Sequence, residues 1–272
     1  VVDQHVLQES RDLRAEAEEL HAFLETLRDD DWSRPTGFLG WTPWDVVAHL
    51  HFFDEVSLLS LEGRDPFVRR RDELVRMLRE GRKNKDIARE QYGRLGPADL
   101  LATWIAACRD LASRLGESDA KSRLPWFGPD MGVRMFTTAR QMETWAHGQE
   151  IYDLLGATRP PTDRLKGIAH LGVVTFGWTF ANRGLEAPGS PPHVRLVAPS
   201  GAVWEWNEPS ERDCVRGDAL DFCQVVTQTR NVADVKLDVR GDTARRWMAI
   251  AQCFAGGPAD PPKPGERGSA RQ

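Results

Sequence analysis

Lysine is scarce in this chain. Lys83, Lys85, Lys121, Lys166, Lys236 and Lys263 are the full complement, and 41 Asp and Glu outweigh 36 Lys and Arg for a net charge of −5. A protein that holds nucleic acid through its phosphates needs a basic surplus or a basic stripe, and neither is present. The single basic cluster, Arg69-Arg70-Arg71, runs straight into Asp72 and Glu73 and reads as a solvated helix face. Long apolar runs are missing too. None approaches the roughly 20 residues that span a bilayer, which excludes a transmembrane helix. The opening "VVDQHVLQES" lacks the charged and apolar regions of a secretory signal, so no membrane association is expected. Cysteine is limited to Cys108, Cys214, Cys223 and Cys253, far apart and without a C-x-x-C pair. That spacing excludes a zinc ribbon and argues against a disulfide framework. It fits reduced, buried thiols in the cytoplasm.

What is present divides into two patterns. Residues 1–186 carry helical periodicity and are expected to form one domain. A first helix is predicted over about Gln4–Arg28, with Leu7, Leu13, Leu20, Phe23, Leu24 and Leu27 on its apolar face. A second opens at Thr42-Pro43-Trp44-Asp45, where Thr42 suits the N-cap, Pro43 the first turn and Asp45 the third position after the cap. It stops at Gly63. A third is predicted over Arg69–Tyr92, a fourth from Gly96-Pro97 to about Gly116, a fifth over Thr138–Leu155 and a sixth after "RPPTDR". Between the fourth and fifth lies "SDAKSRLPWFGPDMGVR", whose Pro, Gly and Trp suit a loop lining a site. After the Pro/Gly-rich residues 185–192 the pattern turns to period two. "HVRLVAP" and "AVWEWNE" around Ser200-Gly201 predict a hairpin, and "DCVRG" and "DVKLDVRG" predict further strands among helical segments. Residues 193–257 therefore read as an α+β domain, and residues 258–272 as a disordered Pro/Gly-rich tail.

The histidines bear the functional argument. His5, His21 and His193 lie near a terminus or the linker and read as structural, and His170 has no evident chemistry. On the second helix His49 shares a face with Phe52, Phe53 and Val56, while His51 points away and is in register with Glu55. An imidazole on an apolar face needs a partner, either a metal or a core hydrogen bond. On the fifth helix Glu143 and His147 stand one turn apart with Ala139 and Ala146 beside them, and Glu150 shares the face. Alone, such a pair is usually a surface contact. Joined by His49 it makes two imidazoles and a carboxylate, a donor set suited to catalytic zinc with one position open. Iron or nickel would suit the same set.

"GWTPWDVVAHL", with Gly40-Trp41, Asp45 and His49, resembles the signature of DinB-like metal-binding bundles. More closely it resembles the mycothiol-dependent maleylpyruvate isomerase group. "METWAHGQEIYDLLG" looks like that group's second ligand segment, and "GDALDFCQVVTQTR … VRGDTARRWMAIAQCFAG" resembles its sterol-carrier-like C-terminal domain. The resemblance implies a DinB-like four-helix-type bundle followed by a smaller α+β domain. It also implies a divalent metal, typically zinc, on His49, Glu143 and His147, with mycothiol as a thiol cosubstrate. Arg230 is the nearest counterpart of an arginine that takes part in the isomerase's activity. The "LPWFGPDMG" loop and the "TWAHGQEIYD" wording depart from the isomerase, so its substrate is not carried over.

The function expected is a metal-dependent isomerase or thiol transferase. The metal would activate a thiol for addition to a small unsaturated or acidic substrate. Arg230, Arg134 and Arg140 are candidate cations for an acidic substrate, and Trp126 and Phe127 are either an apolar wall or packing anchors. Two rivals use the same ligands: a hydrolase or lyase working through metal-bound water, and a metal- or ligand-binding protein without catalysis. Oligomeric state is not legible.

Overall fold

The computed structural model describes residues 6–267. His5 and the Gln4 start expected for the first helix lie outside them. The chain divides into two compact units, Val1–Leu154 and Leu155–Gln272.

The first unit is helical: α1 (Gln8–Leu24), α2 (Pro43–Glu62), α3 (Arg64–Arg79), α4 (Asn84–Tyr92), α5 (Pro97–Glu117) and α6 (Val133–Leu155). The entry to α2 is fixed as its sequence predicts. The Asp45 N–H donates to Thr42 Oγ1 at 3.2 Å, and the Thr42 N–H donates back to Asp45 Oδ2 at 2.9 Å. Asp45 is also held by Arg89 Nη2 at 2.9 Å and Lys85 Nζ at 3.4 Å, which ties the start of α2 to the α4 region. Val46, Val47, Ala48, Leu50, Phe52 and Val56 are all buried, so α2 has hardly any solvent face. A helix apolar most of the way round belongs in the middle of a bundle. Against it pack α3, α4 and α5, the last bringing the fully buried Trp104 to Asp54 of α2. Burying each such side chain contributes about 1.5–3 kcal/mol.

The predicted third helix is two. Gly81 takes φ +85°, and the Gly81 and Arg82 N–H groups cap carbonyls of α3, closing it before α4 begins. A left-handed residue at that point costs glycine nothing and ends the helix. The fifth predicted helix begins earlier than expected, at Val133. Part of the preceding loop is a small antiparallel hairpin, β1 (Arg123–Leu124) with β2 (Met131–Gly132). Ser60 Oγ anchors it by donating to Pro125 O at 2.7 Å.

The second unit contains α7 (Leu165–Val174), α8 (Phe176–Ala181), β3 (His193–Val197), β4 (Val203–Trp206), β5 (Cys214–Asp218), α9 (Ala219–Val226), β6 (Asp238–Arg240) and α10 (Asp242–Ile250). Its sheet runs β4-β3-β5-β6. The β3–β4 hairpin forms around Ser200-Gly201 with Val197 opposite Val203, β5 lies parallel to β3, and β6 is antiparallel to β5. Val194, Leu196 and Trp204 point inward, while Arg195, Val197 and Glu205 do not. The inner side chains share a core with Phe222, Phe176 and Trp247, the last two rings 5.4 Å apart.

Two expectations about organisation change here. Helices α7 and α8, read from sequence as part of the 1–186 domain, belong to the second unit. Gly172 lets α7 approach α9 so closely that a Cβ there would lie 2.8 Å from Val226 Cγ2. The tail, expected to be disordered from residue 258, is held through 267 by hydrogen bonds. Ala259 O and Pro262 O accept from Gln228 Nε2 and Asn231 Nδ2 at 2.8 Å each, and Arg267 Nη1 donates to Gln228 O at 3.0 Å. Its prolines remove backbone donors, and its carbonyls are taken by side chains instead.

Candidate metal centre

In the first unit, α2 and α6 bring His49, Glu143 and His147 together. Glu143 Oε2 lies 3.6 Å from His49 Nε2 and 3.3 Å from His147 Nε2, and the two imidazole centroids are 4.6 Å apart. One potential ligand atom from each of the three falls within 4.8 Å of the others. Among the described residues no other set of three His, Cys, Asp or Glu side chains is so placed. A tetrahedral ion with bonds of about 2.0–2.1 Å separates its ligands by roughly 3.4 Å, so the two spacings to Glu143 already match.

Two further observations test the fit. His49 Nε2 is buried and has no hydrogen-bond partner, since 3.6 Å from Glu143 is beyond one. A buried ring nitrogen left without a partner is costly, and a cation would satisfy it. Burial, reinforced by repulsion from His147 and opposed by Glu143, pushes the His49 pKa down to about 4, so the ring is neutral at pH 7 with a lone pair free. Burial pushes the Glu143 carboxyl up. His147 and His49 together outweigh that effect and hold it well below the ordinary range, so it is ionised. Both protonation states are those that ligands require. The residues fit a divalent ion.

Around the imidazoles stands an aromatic collar. Trp41 lies parallel to His147 at 5.6 Å and edge-on to His49 at 5.0 Å, Phe38 meets His147 at 5.2 Å, and Phe53 meets His49 at 4.8 Å. The turn that presents Phe38 and Trp41 uses left-handed backbone at Leu39 (φ 51°) and Gly40 (φ 66°). Of this collar the sequence pattern offers Phe53, on the face of His49, and Trp41 within "GWTPWD", whereas nothing in it marks Phe38. The Glu143 side chain keeps 24% exposure against 13% for His147 and 10% for His49, so it is the most accessible of the three.

The other candidates are placed as follows. Arg140, expected as a possible substrate cation, is buried and committed to Asp54, with Nη2 2.9 Å from Oδ1. A guanidinium sunk in the core finds its counter-charge there and does not meet a ligand from solvent. Arg134 is exposed and pairs with Glu9 at 2.8 Å. Trp126 packs on Phe67 and Phe136, and Phe127 on Phe53 and Phe67, as anchors of the hairpin loop. His51 Nε2 sits 3.5 Å from Glu55. Glu150 is buried on α6. Arg230 belongs to the second unit, just past α9. It is buried there, and its Nη1 donates to Thr229 O at 2.7 Å.

Residues 13–152, just over half the chain, match the mycothiol maleylpyruvate isomerase N-terminal domain family. The chain belongs to this family. Two relatives, one from each of two strains of Mycobacterium tuberculosis and both named as uncharacterized proteins, are 38% identical over 248 residues, covering 91% of this chain and 95% of each relative. Among solved structures, the mycothiol-dependent maleylpyruvate isomerase superposes with a TM-score of 0.51 at 14% identity, covering 80% of this chain and 87% of that one. A histidine-to-alanine mutant of that enzyme gives the same score at 13%. At such identity the likeness shows a shared fold, a helical N-terminal domain followed by a smaller domain with a sheet. No helix among the described residues is long and apolar enough to cross a membrane.

Proposed function

We propose that this protein is a divalent-metal-dependent enzyme, zinc being the best match. In this reading it uses a low-molecular-weight thiol, mycothiol or a close relative, to isomerise or S-conjugate a small unsaturated or acidic substrate in the cytoplasm. The observation that carries the reading is the convergence of His49 Nε2, Glu143 Oε2 and His147 Nε2, with the first buried and unpartnered. When bound, the ion would lower the pKa of a coordinated thiol enough to hold it as thiolate at neutral pH. The family supplies the support for a thiol, since the related domain and fold are named for mycothiol dependence.

The chain's own residues have definable tasks. As ligands, two imidazoles and one carboxylate would supply a single negative charge, so a divalent ion held by them would keep one positive charge for an anionic ligand to meet. Trp41, Phe38 and Phe53 crowd the imidazoles and limit water around them. A drier site strengthens the preference for an anion over a neutral water.

Elemental analysis of the purified protein tests the first step. Near-stoichiometric zinc is expected in the wild type, with loss of metal but retention of the helical circular dichroism in His49→Ala. A wild type that never retains a divalent metal removes the proposal. Turnover of unsaturated diacids by the metal-loaded protein, measured with and without mycothiol, tests the second step. Metal without any affinity for the thiol would transfer the case to a hydrolase or lyase.

A further inference from the structure

Beside the triad lies a second polar set, buried more deeply and left unused by the reaction proposed above. Asp54 of α2 is 0% exposed and Arg140 of α6 is 3% exposed. Arg140 Nε and Nη2 donate to Asp54 Oδ1 at 3.1 and 2.9 Å, and Nη2 also faces Leu50 O at 3.4 Å. From α5, Trp104 Nε1 donates to the other carboxylate oxygen at 3.2 Å. Taking both charges out of water is expensive, and apolar side chains of similar volume often serve a core equally well. Fold stability alone therefore gives little reason for this pair.

Its position gives a better one. Arg140, Glu143 and His147 occupy one stripe of α6 at i, i+3 and i+7. On α2 the guanidinium grips Leu50 O, the carbonyl next to His49, and the carboxylate one turn beyond. The fork thus joins the helix that carries two of the ligands to the helix that carries the third. Any slide of α2 along α6 would change the separation of His49 Nε2 from Glu143 Oε2, whereas metal–ligand distances tolerate only about 0.2 Å.

We propose that Asp54 and Arg140 are positioning residues for the metal centre, a buried strut that sets the spacing between His49 on α2 and Glu143 and His147 on α6. The proposal rests on the metal reading of the triad. Two substitutions separate positioning from support of the fold. Arg140→Lys keeps the charge and loses the two-pronged geometry. The double variant Asp54→Leu/Arg140→Met removes both charges and leaves no buried ion unpaired. Each is titrated with Zn²⁺ against a competing chelator and with Co²⁺ followed by its visible absorption. Leu13→Ala, a fully buried change on α1, a helix that carries neither the strut nor the triad, is the control for lost stability.

The expected result is a Zn²⁺ dissociation constant raised about 10–100-fold in both strut variants, with Co²⁺ bands shifted or weakened. Leu13→Ala should melt earlier yet keep wild-type affinity and spectrum. A strut variant that folds, binds Zn²⁺ as the wild type does and shows an unchanged Co²⁺ spectrum overturns the proposal. If the double variant does not fold, Arg140→Lys decides on the same two readouts. A wild type that takes up neither ion removes the metal reading and the strut with it. A wild type that binds while its strut variants bind equally well removes the strut alone.

Discussion

Glu143 concentrates the opposing forces in this site. Its burial disfavours the charge, and the two imidazoles restore it. Replacing it with glutamine removes the desolvation cost and the favourable contacts together, so the metal-free protein should hardly notice. Glu143→Gln is expected to lower Zn²⁺ affinity at pH 7 by at least about 100-fold, since a lost ligand should cost no less than a lost outer partner. The apo melting temperature should change by no more than a few degrees. Isothermal titration and differential scanning calorimetry read the two quantities separately. A variant that binds as tightly as the wild type would exclude Glu143 as a ligand. The three grouped residues were legible in the sequence because each obeys a spacing rule: Glu143 and His147 are one turn apart, and His49 stands among Phe52, Phe53 and Val56. Asp54 and Trp41 were not legible as site residues. An acid inside an apolar helix reveals its partner only when α6 is laid beside it, and Trp41 reaches the imidazoles through a turn whose left-handed residues, Leu39 and Gly40, no periodicity announces.

At the scale of elements, the start of α2 matters because α2 delivers His49, and Asp45 is its clamp. The buried carboxylate is pushed up by desolvation. Arg89, with Thr42, more than compensates, so its folded-state pKa lies below the unfolded value of about 3.9. A lowered carboxylate pKa gives stability that is present above the unfolded value and lost as pH falls through the folded one. Asp45→Asn should therefore cost about 1–2 kcal/mol at pH 7, kept modest because Arg89 is half exposed. The gap to wild type should begin to narrow below about pH 4 and close as pH falls through the lower folded-state value. Thermal melts at pH 7, 5 and 3 check this, and a gap of constant size across that range would deny Asp45 the role. This cap was readable in advance because Thr-Pro-x-Asp is a local signal. The break at Gly81 was not, because one glycine in a charged stretch can sit inside a helix or end it, and the choice is made by packing against α2. For the same reason β6 is shorter than "DVKLDVRG" suggests. A strand persists only where a neighbour pairs with it, and β5 offers Cys214, Val215 and Arg216.

For the whole molecule, the composition and the change of period at residues 185–192 announced two parts, but the compact units divide at Leu154–Leu155. Hydrophobic pattern identifies α7 as a helix without naming its partner. The partner is fixed by Gly172, which admits Val226 closer than a side chain there would allow and leaves Phe222 little room. The first unit has its own core, with Trp104, Phe67, Phe136, Leu50 and Leu111 fully buried. A unit of that size does not depend on a metal to fold as a zinc finger does. The apo protein should therefore melt cooperatively, and an ion that binds only the folded state should add to its stability. Free Zn²⁺ at 100 times its dissociation constant contributes about 2.7 kcal/mol. For a unit of roughly 150 residues that corresponds to a rise in Tm of about 5–10 °C. Scanning calorimetry with buffered Zn²⁺, then with excess chelator, should show the rise and its reversal, and Glu143→Gln should abolish it. Hydrogen exchange should locate the added protection on α2 and α6, where His49, Glu143 and His147 stand. An apo protein without a cooperative melt would instead make the centre a structural zinc site, because the ion would then be holding the helices together rather than waiting at an open position for a thiol.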